Sequence, residues 1–144
     1  MQRPDFKSFF RDYAALYNKA LGDAPDYQGI ANCFTECFVA AGPQGAACGH
    51  NDKDMLQQLE KNYAFYKQIG AKQMQVLRTL ETQIDGAHHL VKVFYRASYD
   101  RNGQDIVIDF DVTYLLQTQA GQSRIFAFIA GDEMGAYKRA GLID

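Results

Sequence analysis

No apolar run in the 144-residue chain approaches the roughly 20 residues needed to cross a bilayer, so no membrane-spanning helix is expected. The first ten residues, MQRPDFKSFF, hold no apolar stretch and no small-residue cleavage site, and no secretory signal is expected from them. There is no excess of basic charge: 15 lysines and arginines face 17 acids, for a net charge of −2. A binder of nucleic-acid backbones needs a concentrated basic face, so that class is excluded from the expected partners. Cysteine is scarce and odd in number, at three. That count fits a reducing cytoplasm better than a disulfide scaffold. No zinc-type ligand set can be assembled around Cys33, Cys37 and Cys48, and no metal or cofactor is expected. The cysteines read as small apolar core residues, with no electropositive neighbour in sequence to make one reactive.

What the chain does have is apolar and aromatic mass. Hydrophobic residues make up 47% and aromatics 13%, which excludes low-complexity disorder. A chain of this size buries roughly 68–70% of its unfolded surface and holds a core unaided. There is no internal repeat and no linker, so residues 1–144 read as one domain.

The first half is helical and the second rich in strands, an α+β order. Phe6, Phe9, Phe10, Tyr13, Leu16, Tyr17 and Leu21 repeat with a helical period over Asp5–Leu21. A shorter helix begins near Asp26. Strands at Cys37–Ala41 and Ala46–Gly49 flank a Gly-Pro-Gln-Gly turn. A third helix starts at Asn51 or Asp52 and stops at Gly70. Strands follow over Lys72–Ile84, His89–Tyr99, Asp105–Gln117 and Arg124–Gly131, then a short helix near Glu133–Ala140.

The Asn102-Gly103 pair is the strongest hairpin signal. A two-residue loop there pairs Arg101 with Gln104, Tyr99 with Ile106 and Arg96 with Asp109. One face then collects Val91, Val93, Tyr95, Ala97, Tyr99, Ile106, Ile108, Phe110, Val112 and Tyr114. The other carries Lys92, Phe94, Arg96, Ser98, Val107, Asp109, Asp111 and Thr113. A slip of one residue would mix the two sets, which a half-buried sheet penalises. The first face is the expected core. The second, extended by Phe126 and Phe128, has the mixed aromatic and charged character of a subunit interface, and an isologous homodimer would cover it. Extending the register into Lys72–Ile84 puts Met74, Val76, Arg78, Leu80 and Ile84 on the core face. Arg78 is the anomaly. A guanidinium there must pair with an acid such as Asp26 or Glu36, or line a wet cavity and grip a ligand oxygen.

The segments NYAFYKQIG, HHLVKVFYRASY, IDFDVTYLLQ and RIFAFIAGDE, in this order of elements, resemble the nuclear transport factor 2-like superfamily. That superfamily includes the SnoaL-like polyketide cyclases, ketosteroid isomerase and scytalone dehydratase. The likeness covers nearly the whole chain and comes nearest to small bacterial members without an assigned function. It implies a cone, in which a bent antiparallel sheet wraps the long first helix and an apolar pocket opens on the concave side. It also implies dimers through the outer sheet face. Its catalytic members move protons without a cofactor, using an Asp or His base and a Tyr or carboxylic-acid donor. Such general acid–base help is worth roughly 10²–10⁴-fold.

Several residues here could fill those roles. Tyr13, Tyr17, Tyr63, Tyr66, Tyr95, Tyr99 and Tyr114 all fall on expected core faces, and that many inward hydroxyls imply a polar-lined cavity. Tyr13 and Tyr17, one turn apart, are the expected carbonyl donors. His50 is the expected base, weighed against a plain loop or capping role. Arg78, Tyr63, Tyr66, Tyr95, Tyr99 and Tyr114 are the expected ligand-binding set. His88 and His89 are adjacent on a strand and point oppositely, so they cannot share a metal. Asp109 and Asp111 face outward in this register, with Asp109 against Arg96. In the other register they would be the acid–base candidates. Asp132 and Glu133 read as a helix start, or as a carboxylate at the pocket rim. The expected activity is binding of a small, largely apolar molecule, with isomerase, cyclase or dehydratase chemistry. The alternative is a non-catalytic binding or protein-interaction module of the same fold.

Overall fold

A computed structural model describes residues 3–144. Helix α1, Phe6–Ala20, begins where the Asp5 carboxylate accepts the Ser8 backbone N–H at 3.1 Å. Helix α2, Tyr27–Ala31, is capped the same way by Asp26. Strands β1, Phe34–Gly42, and β2, Gly45–His50, form the first hairpin. Helix α3, Lys53–Gln68, is capped by Asp52. Strands β3, Ala71–Gln83, β4, His88–Arg101, β5, Gln104–Gln119, and β6, Gln122–Ala130, form the large sheet, and α4, Glu133–Arg139, follows.

All six strands join one curled, unclosed sheet in the order β2-β1-β6-β5-β4-β3. The architecture is α+β, as the order of elements implies, and cone-shaped, as the family resemblance implies. It departs from a wholly antiparallel sheet at one seam, where β1 runs parallel to β6. Among the described residues no helix is long and apolar enough to cross a membrane.

The β4–β5 register is the expected one. Arg101 pairs with Gln104, Tyr99 with Ile106 and Arg96 with Asp109, without a break. The turn has positive φ at both Asn102 (54°) and Gly103 (81°), which suits the right-handed twist of the strands it joins. Val91, Val93, Tyr95, Ala97 and Tyr99 are buried on the concave face, with Val112, Tyr114 and Leu116 beside them. Phe6, Phe10 and Ala14 of α1 complete that core. A second cluster, of Ile69, Tyr99, Tyr137 and Leu142, closes one end.

The turn into β3 depends on Gly70. Its φ is +91°, and a Cβ there would lie 2.1 Å from the Asp100 carbonyl oxygen. A side chain has neither the backbone conformation nor the space.

Two bulges correct the face assignments. In β3 the pairing steps from Val76↔Tyr95 to Arg78↔Phe94, so Leu77 is an extra residue and every later side chain changes face. Arg78 is therefore on the outer, convex face, and Leu80 (52% exposed) and Ile84 (56%) are not core residues. In β5–β6 the step from Leu115↔Ala127 to Leu116↔Ile125 leaves Phe126 in the bulge. Phe126 sits on the outer face, its ring 6.0 Å from that of His88. Phe128 pairs with Tyr114 and turns inward, against its expected place on the outer face.

Candidate functional site

The concave face, α1, α3 and α4 enclose a cavity of about 570 Å³. Eight of the nine tyrosines line it. Tyr13 and Tyr17 come from α1, one turn apart. Tyr63 and Tyr66 come from α3, three residues apart and so on one helix face. Tyr95 and Tyr99 come from β4 and Tyr114 from β5, all on the inward alternation. Tyr137 comes from α4. All seven tyrosines expected at a pocket are brought together, and Tyr137 is the one the sequence reading missed. The Tyr17 ring lies 5.2 Å from Tyr63 and 5.7 Å from Tyr66, so α1 and α3 meet through aromatic packing rather than aliphatic interdigitation.

At the floor, the Tyr95 and Tyr114 hydroxyls are 2.7 Å apart. One donates to the other, and the acceptor's own proton is left over for a further partner. Burial pushes the pKa of both well up, as it does for Tyr13 beside Tyr114. Burial also raises Tyr17, Tyr63, Tyr66 and Tyr137. These hydroxyls therefore stay protonated and are available as donors.

Glu133, the first residue of α4, reaches the same cavity. Glu133 is an exposed residue at the rim, and desolvation on its cavity side raises the carboxyl pKa from the usual 4.5. Among the described residues no ion pair or hydrogen bond holds it, and desolvation is the sole cause of the shift. Its charge is felt by Tyr17, Tyr66, Tyr99, Tyr114 and Tyr137, which come from α1, α3, β4, β5 and α4 around the cavity. This is the rim carboxylate that the sequence offered as the second reading of Asp132-Glu133. Asp132 takes the first reading and caps the helix, accepting the Gly135 N–H at 2.9 Å.

The other expected site residues fare differently. His50 lines the mouth, but its Nδ1 faces the Cys37 thiol at 3.7 Å across the β1–β2 pair. Arg78 does not line the cavity. Its guanidinium carbon lies 4.1 Å from the centre of the Phe94 ring on the convex face, with neither Asp26 nor Glu36 as partner. The bulge at Leu77 is the cause, and strict alternation could not have shown it. Asp109 and Asp111 are outward, and Asp109 accepts two bonds from Arg96 at 2.8 and 2.9 Å. Cys37 and Cys48 are exposed, against the expectation of core residues, whereas Cys33 is half-buried and packs against the core. His89 points inward and His88 outward, as adjacency on a strand requires. Among the described residues no cluster of three His, Cys, Asp or Glu side chains could hold a metal.

The family described as "NTF2-like protein (DUF6841)" matches residues 4–133. No curated protein matches the chain. Among solved structures, an NTF2-like protein with a cystatin-like fold from Novosphingobium aromaticivorans superposes with a TM-score of 0.69 at 10% identity, over 96% of this chain and 86% of that one. The beta subunit of benzoate 1,2-dioxygenase from Burkholderia mallei gives 0.68 at 14% identity, over 100% and 97%. A ketosteroid isomerase-like protein from Erwinia carotovora atroseptica gives 0.58 at 15% identity, over 88% and 91%. At these identities the likeness is one of fold.

Proposed function

The chain belongs to the NTF2-like protein family (DUF6841), and from that premise we propose that it binds a small, largely apolar organic molecule in the tyrosine-lined cavity and moves a proton on it without a cofactor. The observation that carries this reading is an unpaired carboxyl, Glu133, opening into a cavity whose polar groups are otherwise mostly phenolic hydroxyls. A volume of about 570 Å³ lies within the roughly 300–1,000 Å³ of ordinary ligand pockets.

The division of labour follows from the chemistry. A neutral tyrosine donates to a carbonyl oxygen and stabilises the enolate that forms when a neighbouring C–H loses its proton. Tyr13, Tyr17 and the Tyr95–Tyr114 pair are the donors. Glu133 takes the proton and returns it at another carbon, giving isomerisation, or delivers it to a leaving hydroxyl, giving dehydration. Its raised pKa moves it toward the working pH, which favours this exchange. Glu133 takes this role in place of His50, which is exposed at the mouth with its Nδ1 facing the Cys37 thiol. The remaining tyrosines hold the apolar body of the ligand.

The same reading makes the protein a homodimer through its convex sheet face. Phe94, the Arg96–Asp109 pair, Asp111 and Phe126 lie there, beside exposed Val107 and Ile129. Free cysteines suit a reducing cytoplasm. Native mass spectrometry of the purified protein, repeated after denaturation, tests the proposal. A dimer that releases a small organic molecule is expected. An empty protein whose tyrosine resonances no apolar carbonyl compound shifts would overturn it.

A further inference from the structure

The charges around the cavity are one-sided. Asp52, Asp54 and Glu133 line it, and no lysine or arginine among the described residues does. Asp52 is spent on capping α3, where it accepts the Asp54 and Met55 N–H groups. Asp54 and Glu133 stand in the first turns of α3 and α4, and among the described residues neither side chain accepts a hydrogen bond. The aromatic faces inside are also free of cations. Among the described residues, the cations over a ring are Arg78 and Lys92, both on Phe94 outside. Tyr63 is buried to 5% exposure, lines the cavity, and none of the side-chain hydrogen bonds engages its hydroxyl.

We propose that the ligand of this cavity carries a positive charge: an organic ammonium on an apolar body, seated against the faces of Tyr17, Tyr63 and Tyr66 with Glu133 as its counter-charge. This rests on the cavity being a ligand site and adds the class of ligand. Aromatic faces attract an ammonium through their quadrupole, more strongly as water is excluded. Apart from the His50 imidazole at the mouth and the Gln58 and Asn62 amides, the polar side chains of the cavity are mostly phenol and carboxylate. Inside it a carboxylate ligand finds no lysine or arginine as partner ion, and desolvating it there is costly. An ammonium beside Glu133 keeps that carboxylate ionised, the state in which it accepts a proton, and lowers the basicity that desolvation raises. A C–H next to the cationic nitrogen is the more acidic for it, which offsets the weaker base.

Three probes of one shape test this: 2-(2-naphthyl)ethylammonium, the corresponding alcohol and the corresponding carboxylate, titrated calorimetrically into the full chain. The ammonium is expected to bind about tenfold or more tightly than the alcohol, an advantage of the size that a desolvated cation–π site and one counter-ion supply. The carboxylate is expected not to bind. In Glu133→Gln, shown to be folded by unchanged far-ultraviolet dichroism, the ammonium should lose most of its advantage over the alcohol. Equal binding of ammonium and alcohol to the wild type would overturn the charge preference while leaving the cavity as a ligand site. Binding of none of the three, with tyrosine resonances unmoved, would overturn both.

Discussion

Asn18 bonds to both backbone groups of Met74: its amide donates to the Met74 carbonyl at 2.9 Å, and its own carbonyl accepts the Met74 N–H at 2.7 Å. β3 is an edge strand, and here a side chain stands in for the missing neighbour. The contact ties α1 to the sheet beside the cavity wall. Asn18→Ala removes two hydrogen bonds and leaves a partly buried peptide unit unpaired. The expected loss is about 1–3 kcal/mol. Urea unfolding reads it as a lower midpoint at unchanged slope. A midpoint equal to wild type would show that water replaces the amide at no cost.

Thiol labelling separates the three cysteines. Cys37 and Cys48 are exposed, whereas burial pushes the Cys33 thiol up to about 11. Two thiols should react with a maleimide quickly and the third only on unfolding. His50→Ala should slow Cys37 alone, because the imidazole is 3.7 Å from its sulfur. Equal rates at all three sites in the native protein would contradict this placement.

The residues that sequence reasoning placed well share one property: strict alternation next to a turn that fixes register. Asn102-Gly103 sets β4 against β5, and the whole inward set from Val91 to Tyr114 follows. The seven expected tyrosines reach the cavity for that reason, or because a helical period places them. Arg78 and Phe128 were misplaced because each lies beyond a bulge, where one extra residue, Leu77 or Phe126, reverses the face. A bulge has no composition of its own to betray it. His50 and Cys37 are 13 residues apart, and only strand pairing makes them neighbours. Glu133 had two readings because a helix start and a cavity rim ask for the same residue type, and only the position of α4 separates them.

The convex face makes its own prediction. Phe94 lies under the Arg78 guanidinium and near Lys92, in the middle of the surface proposed to pair two copies. Phe94→Glu puts a charge at the centre of that contact, and two copies would bring two such charges together. Sedimentation should show a monomer with unchanged far-ultraviolet dichroism. Arg96→Ala should weaken the dimer as well, because the contact covers the ion pair and the variant leaves Asp109 there without its partner. A wild type that already sediments as a monomer would remove the dimer from the proposal, and the cavity would stand without it.

Glu133 ties stability to pH in a direction opposite to the usual carboxylate. Its folded pKa is raised by burial, so just above the usual 4.5 the folded chain keeps a proton that the unfolded chain has released. Stability then falls as the pH rises through this window, because the unfolded state binds fewer protons. Asp5 and Asp109 act in the other sense and at lower pH, since hydrogen bonds from Ser8 and Arg96 hold them below 3.8. The difference in melting temperature between wild type and Glu133→Gln isolates the one group. It should grow in favour of the variant from about pH 4.5 upward and level off once the folded carboxyl has ionised. Adding the naphthylethylammonium probe should reverse the trend for the wild type alone, because an adjacent cation favours the ionised carboxylate and draws its proton off. A difference that stays flat with pH would mean that solvent at the rim screens the carboxyl fully, and Glu133 would then have no claim to the acid–base role.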